Sequence, residues 1–200
     1  MTARDEIREV VANWVLWRDG GDWDRFATVW HPLGYMSATW FQGSATDFIE
    51  RSREGRAHGV QILHQISGTA VDVAGDRAIA VTRMSILQRG VLSSVEVDVV
   101  CVGKFYDFFQ VYEDQWKLRR RQPIYEKDRL DPVDPSALLR LDADLLERFP
   151  SGYRHLGYLQ TMAGFDVKGG LPGWTGPEVD QLQAEGAAWL AGSAEPGKPA

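Results

Sequence analysis

The sequence predicts an α+β fold in which helices pack on a strongly curved, mostly antiparallel sheet and enclose a cone-shaped cavity. Three observations lead there. Before Val60, segments of the chain carry apolar residues at helical spacing; from Val60 onward β-branched and aromatic residues dominate between turn signals; and one of the resulting strands is too long to stay flat.

The first helix covers Ala3 to Arg18, because Ile7, Val10, Val11 and Trp14 follow the i, i+3, i+4, i+7 rule and Gly20-Gly21 supplies a stop. Asp22 is placed to cap a second helix carrying Trp23, Phe26, Ala27 and Trp30, with Pro32 ending it. Gly34 to Gln42 reads as a short strand, and Ser44 as the cap of a third helix bearing Phe48 and Ile49. Turn signals at Ala74-Gly75-Asp76, Arg89-Gly90 and Glu113-Asp114 then divide a meander into strands at about 60–73, 77–88, 92–112 and 115–127. The third far exceeds the usual five or six residues. Gly103 within it, and Gly68 in the first, mark places for a bulge or bend.

Beyond Asp128 the composition shifts. Pro135 is placed to open a helix with Leu138, Leu141, Leu145 and Phe149; Tyr153 to Met162 reads as another; and Pro177 begins a last one with Val179, Leu182, Trp189 and Leu190. The organisation expected is an α+β cone domain at 1–130, a helical extension at 131–192 packing on the domain or on a partner subunit, and a disordered tail at 193–200.

Twenty-two Lys and Arg against 28 Asp and Glu give a net charge of -6, which argues against nucleic acid as partner. The run Arg119-Arg120-Arg121 falls in a strand, so its members alternate between faces and form no basic stripe. No apolar run approaches membrane-spanning length and no signal segment is visible, so the expected location is cytoplasmic. Cys101, alone of its kind, sits in Val-Val-Cys-Val and reads as a buried strand thiol. No zinc, nucleotide or nucleophile-elbow motif is present, and the expectation is no metal and no cofactor.

Asp19 stands in the last turn of the first helix, where the dipole disfavours a carboxylate. It is either a turn residue or a carboxylate held there for a reason. His64 points to the same strand face as Ile62 and Ile66, so it is either a core histidine or a cavity group. His31, His58 and His155 lie in segments that make them structural or solvent-facing.

Three stretches in order carry a resemblance: Trp17-Arg-Asp-Gly-Gly-Asp-Trp-Asp-Arg-Phe-Ala-Thr-Val-Trp30, then Leu63-His-Gln-Ile-Ser-Gly-Thr69, then Gly103-Lys-Phe-Tyr-Asp107 leading to Trp116-Lys-Leu-Arg-Arg-Arg121. Over about residues 4–128 the chain resembles the SnoaL-like branch of the nuclear transport factor two-like superfamily. That branch includes dehydrochlorinases and scytalone dehydratases, in which an aspartate ending helix one orients a strand histidine that removes a proton. The resemblance implies these roles for Asp19 and His64, and for Arg121 that of an anion or substrate anchor. Tyr35, Trp40 and Tyr106 are the candidates for the substrate-binding lining.

The expected function is a cofactor-independent lyase or isomerase acting on a small, largely apolar ring compound through proton abstraction by His64. The alternative is a non-catalytic small-molecule-binding or assembly protein of the same fold. A homodimer or higher homo-oligomer is expected, because the open face of such a sheet commonly pairs.

Overall fold

The computed structural model describes residues 1–192 and Glu195; apart from Glu195, the tail expected to be disordered lies outside the described residues. The chain runs α1 (Ala3–Gly20), α2 (Trp23–Thr28), β1 (Trp30–Ser37), β2 (Gln42–Ser44), α3 (Ala45–Ala57), β3 (Gln61–Ala74), β4 (Arg77–Leu92), β5 (Val95–Tyr112), β6 (Gln115–Pro132), α4 (Ala143–Glu147), α5 (Arg154–Met162) and α6 (Pro177–Leu190). The six strands form one sheet in the order β2-β1-β6-β5-β4-β3. Among these strand pairings only β1–β6 is parallel.

Strand alternation sorts β5 into two faces. Val97, Val99, Cys101, Phe105 and Phe109 join the main core beneath α1, α2, α3 and α5, whereas Tyr106 and Phe108 join a second cluster with Ile79, Ile124, Val179, Leu182 and Trp189 beneath α6. The extension after β6 therefore covers both sides of the sheet. The outer face, whose openness was the reason to expect pairing with a second copy, carries α6 over this cluster.

Bends fall at the expected glycines. The β5–β6 register shifts between Val102 and Gly103, where a Cβ would overlap the Ile124 carbonyl oxygen; the β3–β4 register shifts between Ile66 and Thr69, around Gly68.

Several boundaries differ from expectation: the strand expected at Gly34–Gln42 is β1 from Trp30 to Ser37, with β2 beginning only at Gln42, and β6 continues to Pro132. The second helix stops at Thr28, because the Val29 carbonyl accepts Leu118 N–H at 2.9 Å and Trp30 pairs with Leu118, drawing the chain into the sheet before Pro32. The β4–β5 turn is Ser93-Ser94, both left-handed, rather than Arg89-Gly90; Gly90 lies inside β4, where its missing side chain makes room for Leu159 of α5. No helix starts at Pro135: the Asp134 carboxylate accepts Ser136 N–H at 2.9 Å to make a turn, Leu138 is 95% exposed, and helix resumes only at Ala143, capped by Asp142.

Candidate active site

Helix α1 ends because Gly21 takes a left-handed conformation with φ 77°, a position that disfavours any residue with a Cβ. That stop leaves Asp19 facing β3. One carboxylate oxygen lies 2.9 Å from His64 Nδ1 and 3.0 Å from Arg18 Nη1; the other accepts the His64 backbone N–H at 2.6 Å. The charge disfavoured at a helix C-terminus is thus compensated by three donors. The Asp19 carbonyl, one of the helix's free acceptors, takes a hydrogen bond from Arg56 Nη1 at 2.6 Å.

The imidazole is enclosed. Its side chain is 8% exposed, with Trp14 edge-on at 5.3 Å and Phe105 at 6.0 Å between ring centroids. Burial lowers the His64 pKa, and the positive charges of Arg18 and Arg121 lower it further, against the opposing pull of Asp19. The net direction is down, so the ring is neutral at neutral pH. Burial also pushes the Asp19 carboxyl up, but its hydrogen bonds with His64 and the Arg18 charge outweigh that, leaving it ionised and below its ordinary value. Neutral imidazole beside a carboxylate carries its proton on Nδ1 and leaves Nε2 as the basic atom. Nε2 makes no hydrogen bond among the described residues.

His64 lines a chamber of about 30 Å³, room for roughly one water. Its walls include Trp14, Met36, Trp40, Phe105 and Tyr125. Arg18, Trp40, Ile62 and Gln160 belong both to this chamber and to an outer cleft of about 680 Å³, so they form the neck between them. Gln160, from α5, fastens that neck: its carbonyl accepts Thr39 Oγ1–H at 2.6 Å and its amide donates to Gln88 Oε1 at 3.0 Å.

The structure brings Asp19, His64 and Trp40 together. Arg121 is placed otherwise than expected. Both its side chain and that of Asp107 are 0% exposed, and they form a bidentate pair at 2.8 and 2.7 Å. The guanidinium lies 3.9 Å from the Phe105 ring centroid and 4.2 Å from that of Trp14, behind the aromatic wall and lining neither cavity. Its partner holds it there, so it is not free to clamp a substrate. Tyr35 and Tyr106 are corrected as well. Met36 lines the chamber, so strand alternation turns its neighbour Tyr35 away; Tyr106 lies under α6 on the outer face, where its hydroxyl abuts Gly186.

Residues missed from sequence are Arg18, Thr39, Tyr125 and Gln160. Arg18 adjoins Asp19 in the chain, the one signal that pointed to it. Tyr125 and Gln160 are brought in by β6 and α5, and burial holds the Tyr125 phenol protonated, well above its usual range.

Comparison with known proteins agrees with this architecture. A SnoaL-like domain is matched over residues 1–122. Pea pathogenicity protein 2 of Fusarium vanettenii is 34% identical over 174 residues, covering 85% of this chain and 75% of its own. An uncharacterised protein of Emericella nidulans is 32% identical over 205 residues, covering 94% and 86%. Among solved structures, a hexachlorocyclohexane dehydrochlorinase superposes with TM-score 0.56 at 10% identity, covering 70% of this chain and 95% of that one. A Novosphingobium aromaticivorans protein assigned as a scytalone dehydratase gives 0.53 at 17%, covering 68% and 95%. At such identities the two structures speak for the fold alone. With a domain match across more than half its length and relatives above 30% identity, the chain belongs to the SnoaL-like domain family.

Proposed function

We propose that this protein is a cofactor-independent lyase or isomerase in which His64 removes a proton from carbon and Asp19 holds the imidazole for that step. The observation that carries the reading is the 2.9 Å contact between Asp19 Oδ1 and His64 Nδ1 at the wall of an aromatic chamber with room for little water. Such an Nδ1–H hydrogen bond fixes the tautomer, aims Nε2 at the substrate and stabilises the imidazolium formed as the C–H bond breaks. The pair of electrons left on carbon then expels a leaving group in an elimination, or returns to a proton at another carbon in an isomerisation. Arg18, hydrogen-bonded to Asp19 and part of the neck, takes the electrostatic role first considered for Arg121. The chamber is too small for a whole ring, so a ring compound enters only as Trp40 and Gln160 part.

The test is deuterium exchange in D2O, followed by NMR, across a panel of cyclic ketones bearing hydroxyl or chloride β to the carbonyl. Wild-type protein is expected to exchange the α-proton of some members or eliminate from them, and His64→Gln to lose that activity. Equal rates for both proteins would end the proposal.

A second reading, a non-catalytic binding protein, is favoured by the small chamber and the Gln160 fastening. Gln160→Ala discriminates: ligand binding without exchange in both wild type and variant supports a binding shell, whereas faster exchange in the variant supports a gated enzyme.

A further inference from the structure

The outer cleft has a charge opposite to that of the molecule. The whole chain carries -6, yet four arginines, Arg18, Arg51, Arg56 and Arg89, line the cleft against one carboxylate in its wall, Asp98; Arg18 is answered by Asp19, which leaves Arg51 and Arg56 as the charges open to a ligand. Asp98 is committed to Arg89, which it binds at 2.9 and 2.7 Å. Among the described residues Arg51 has only an exposed contact with Glu54 at 3.4 Å, the kind of pair that competes weakly with a ligand. Arg56 forms no ion pair among the described residues. Its one hydrogen bond goes to the uncharged Asp19 carbonyl, which leaves most of its five N–H donors for a ligand.

Arg18 and Arg56 also stand close enough for their charges to oppose one another. Asp19 already offsets Arg18, so the charge that a bound anion would join is that of Arg56, with Arg51 nearby in the same wall. The remaining wall mixes apolar surface, from Trp23, Trp40, Phe165, Ile62 and Leu87, with the neutral polar side chains of Ser52, Gln61, Gln88 and Gln160. A volume of about 680 Å³ suits a compact organic ligand.

We infer that the cleft recognises a ring compound bearing a carboxylate, with the anion held by the guanidinium of Arg56, assisted by Arg51, and the ring against Trp23 and Trp40. The planar guanidinium fork matches a carboxylate in two parallel hydrogen bonds. Because Arg56 is bonded to the backbone of Asp19, the captured anion sits beside the end of α1 that carries the dyad, and the ring reaches toward the neck. This names a substrate class for the proposed enzyme and rests on that reading for its catalytic meaning; the binding itself does not depend on turnover.

The experiment is calorimetric titration of the full-length protein with 1-naphthoate and with neutral, nearly isosteric 1-naphthamide. Naphthoate is expected to bind at least ~10-fold more tightly, the magnitude of one charge-assisted hydrogen bond. Arg56→Gln should abolish that preference, Arg51→Gln should reduce it, and added NaCl should weaken naphthoate but not naphthamide. His64→Gln should keep the preference intact. Equal affinity for the two probes, no binding of either, or an unchanged preference in an Arg56→Gln protein that melts like wild type would overturn the inference. Retained preference together with His64-independent turnover would instead overturn only the catalytic reading.

Discussion

Two histidines in this chain hold a carboxylate in nearly the same way. His64 Nδ1 lies 2.9 Å from Asp19, whose second oxygen accepts the His64 backbone N–H; His155 Nδ1 lies 2.9 Å from Asp128, whose second oxygen accepts the Leu156 N–H at 2.8 Å. The surroundings differ. Asp128 supplies a cap to α5, whose own N-cap residue Tyr153 provides no side-chain hydrogen bond, and His155 is 30% exposed and lines neither cavity. His64 lies in an aromatic chamber beside the neck. A histidine–carboxylate contact is therefore weak evidence of chemistry by itself; an enclosed imidazole with a free Nε2 and an adjoining cleft is what separates a candidate base from a helix fastener.

The largest expected effect breaks the comparison at His64. His64→Gln should lower kcat/KM by about 10²–10⁴ on any substrate identified, as expected for loss of a general base, with little change in melting temperature. His155→Gln should leave kcat/KM within a factor of about two, since His155 lines neither cavity. Similar losses in the two variants would remove the distinction drawn here.

Asp19→Asn sharpens the same contrast. The carboxylate raises the His64 pKa against burial, so removing it should move the acidic limb of the kcat/KM profile to lower pH while reducing its plateau. In the wild-type protein that limb should already lie below about pH 6.5, the ordinary imidazole value. The sign for stability follows from the same depression. Below about pH 6.5 the unfolded chain binds a proton at this histidine more readily than the folded one, so the His64 contribution to stability falls as pH drops toward its folded value.

The smallest effect lies at the other pair. Asp128→Ala removes a cap and leaves the Leu156 N–H unpaired, costing about 1–2 kcal/mol and lowering Tm by roughly 2–8 °C. Activity per folded molecule should persist. A loss of activity without loss of stability would mean that the second pair takes part in the chemistry.

How much of this was legible depended on whether the signal was local. The α1 stop and the bend at Gly103 each follow from a short string whose physical meaning does not depend on distant partners, whereas the local strings left Asp19 and His64 open and only the resemblance paired them. Sheet facing was harder. Lys-Phe-Tyr-Asp-Phe-Phe in β5 presents aromatics to two buried faces, so nothing local says that Phe105 faces the chamber while Tyr106 faces α6. The same ambiguity misplaced Tyr35 relative to Met36. Arg121 required the register, because its partner Asp107 stands opposite it on β5, 14 residues earlier in the chain. Gln160 was out of reach for another reason: nothing in a short α5 segment reveals that it returns over the cavity and bonds Thr39, 121 residues away.

The proposed chemistry depends on His64 being a neutral base oriented by Asp19. Two-dimensional ¹⁵N–¹H NMR of the histidine side chains tests it most directly, because nitrogen shifts report both charge and tautomer. At pH 7 His64 is expected to be neutral with its proton on Nδ1 and an unprotonated Nε2, titrating below the ordinary imidazole value, and Asp19→Asn is expected to lower the titration further. A doubly protonated His64 at pH 7, or a neutral ring with its proton on Nε2, would contradict it.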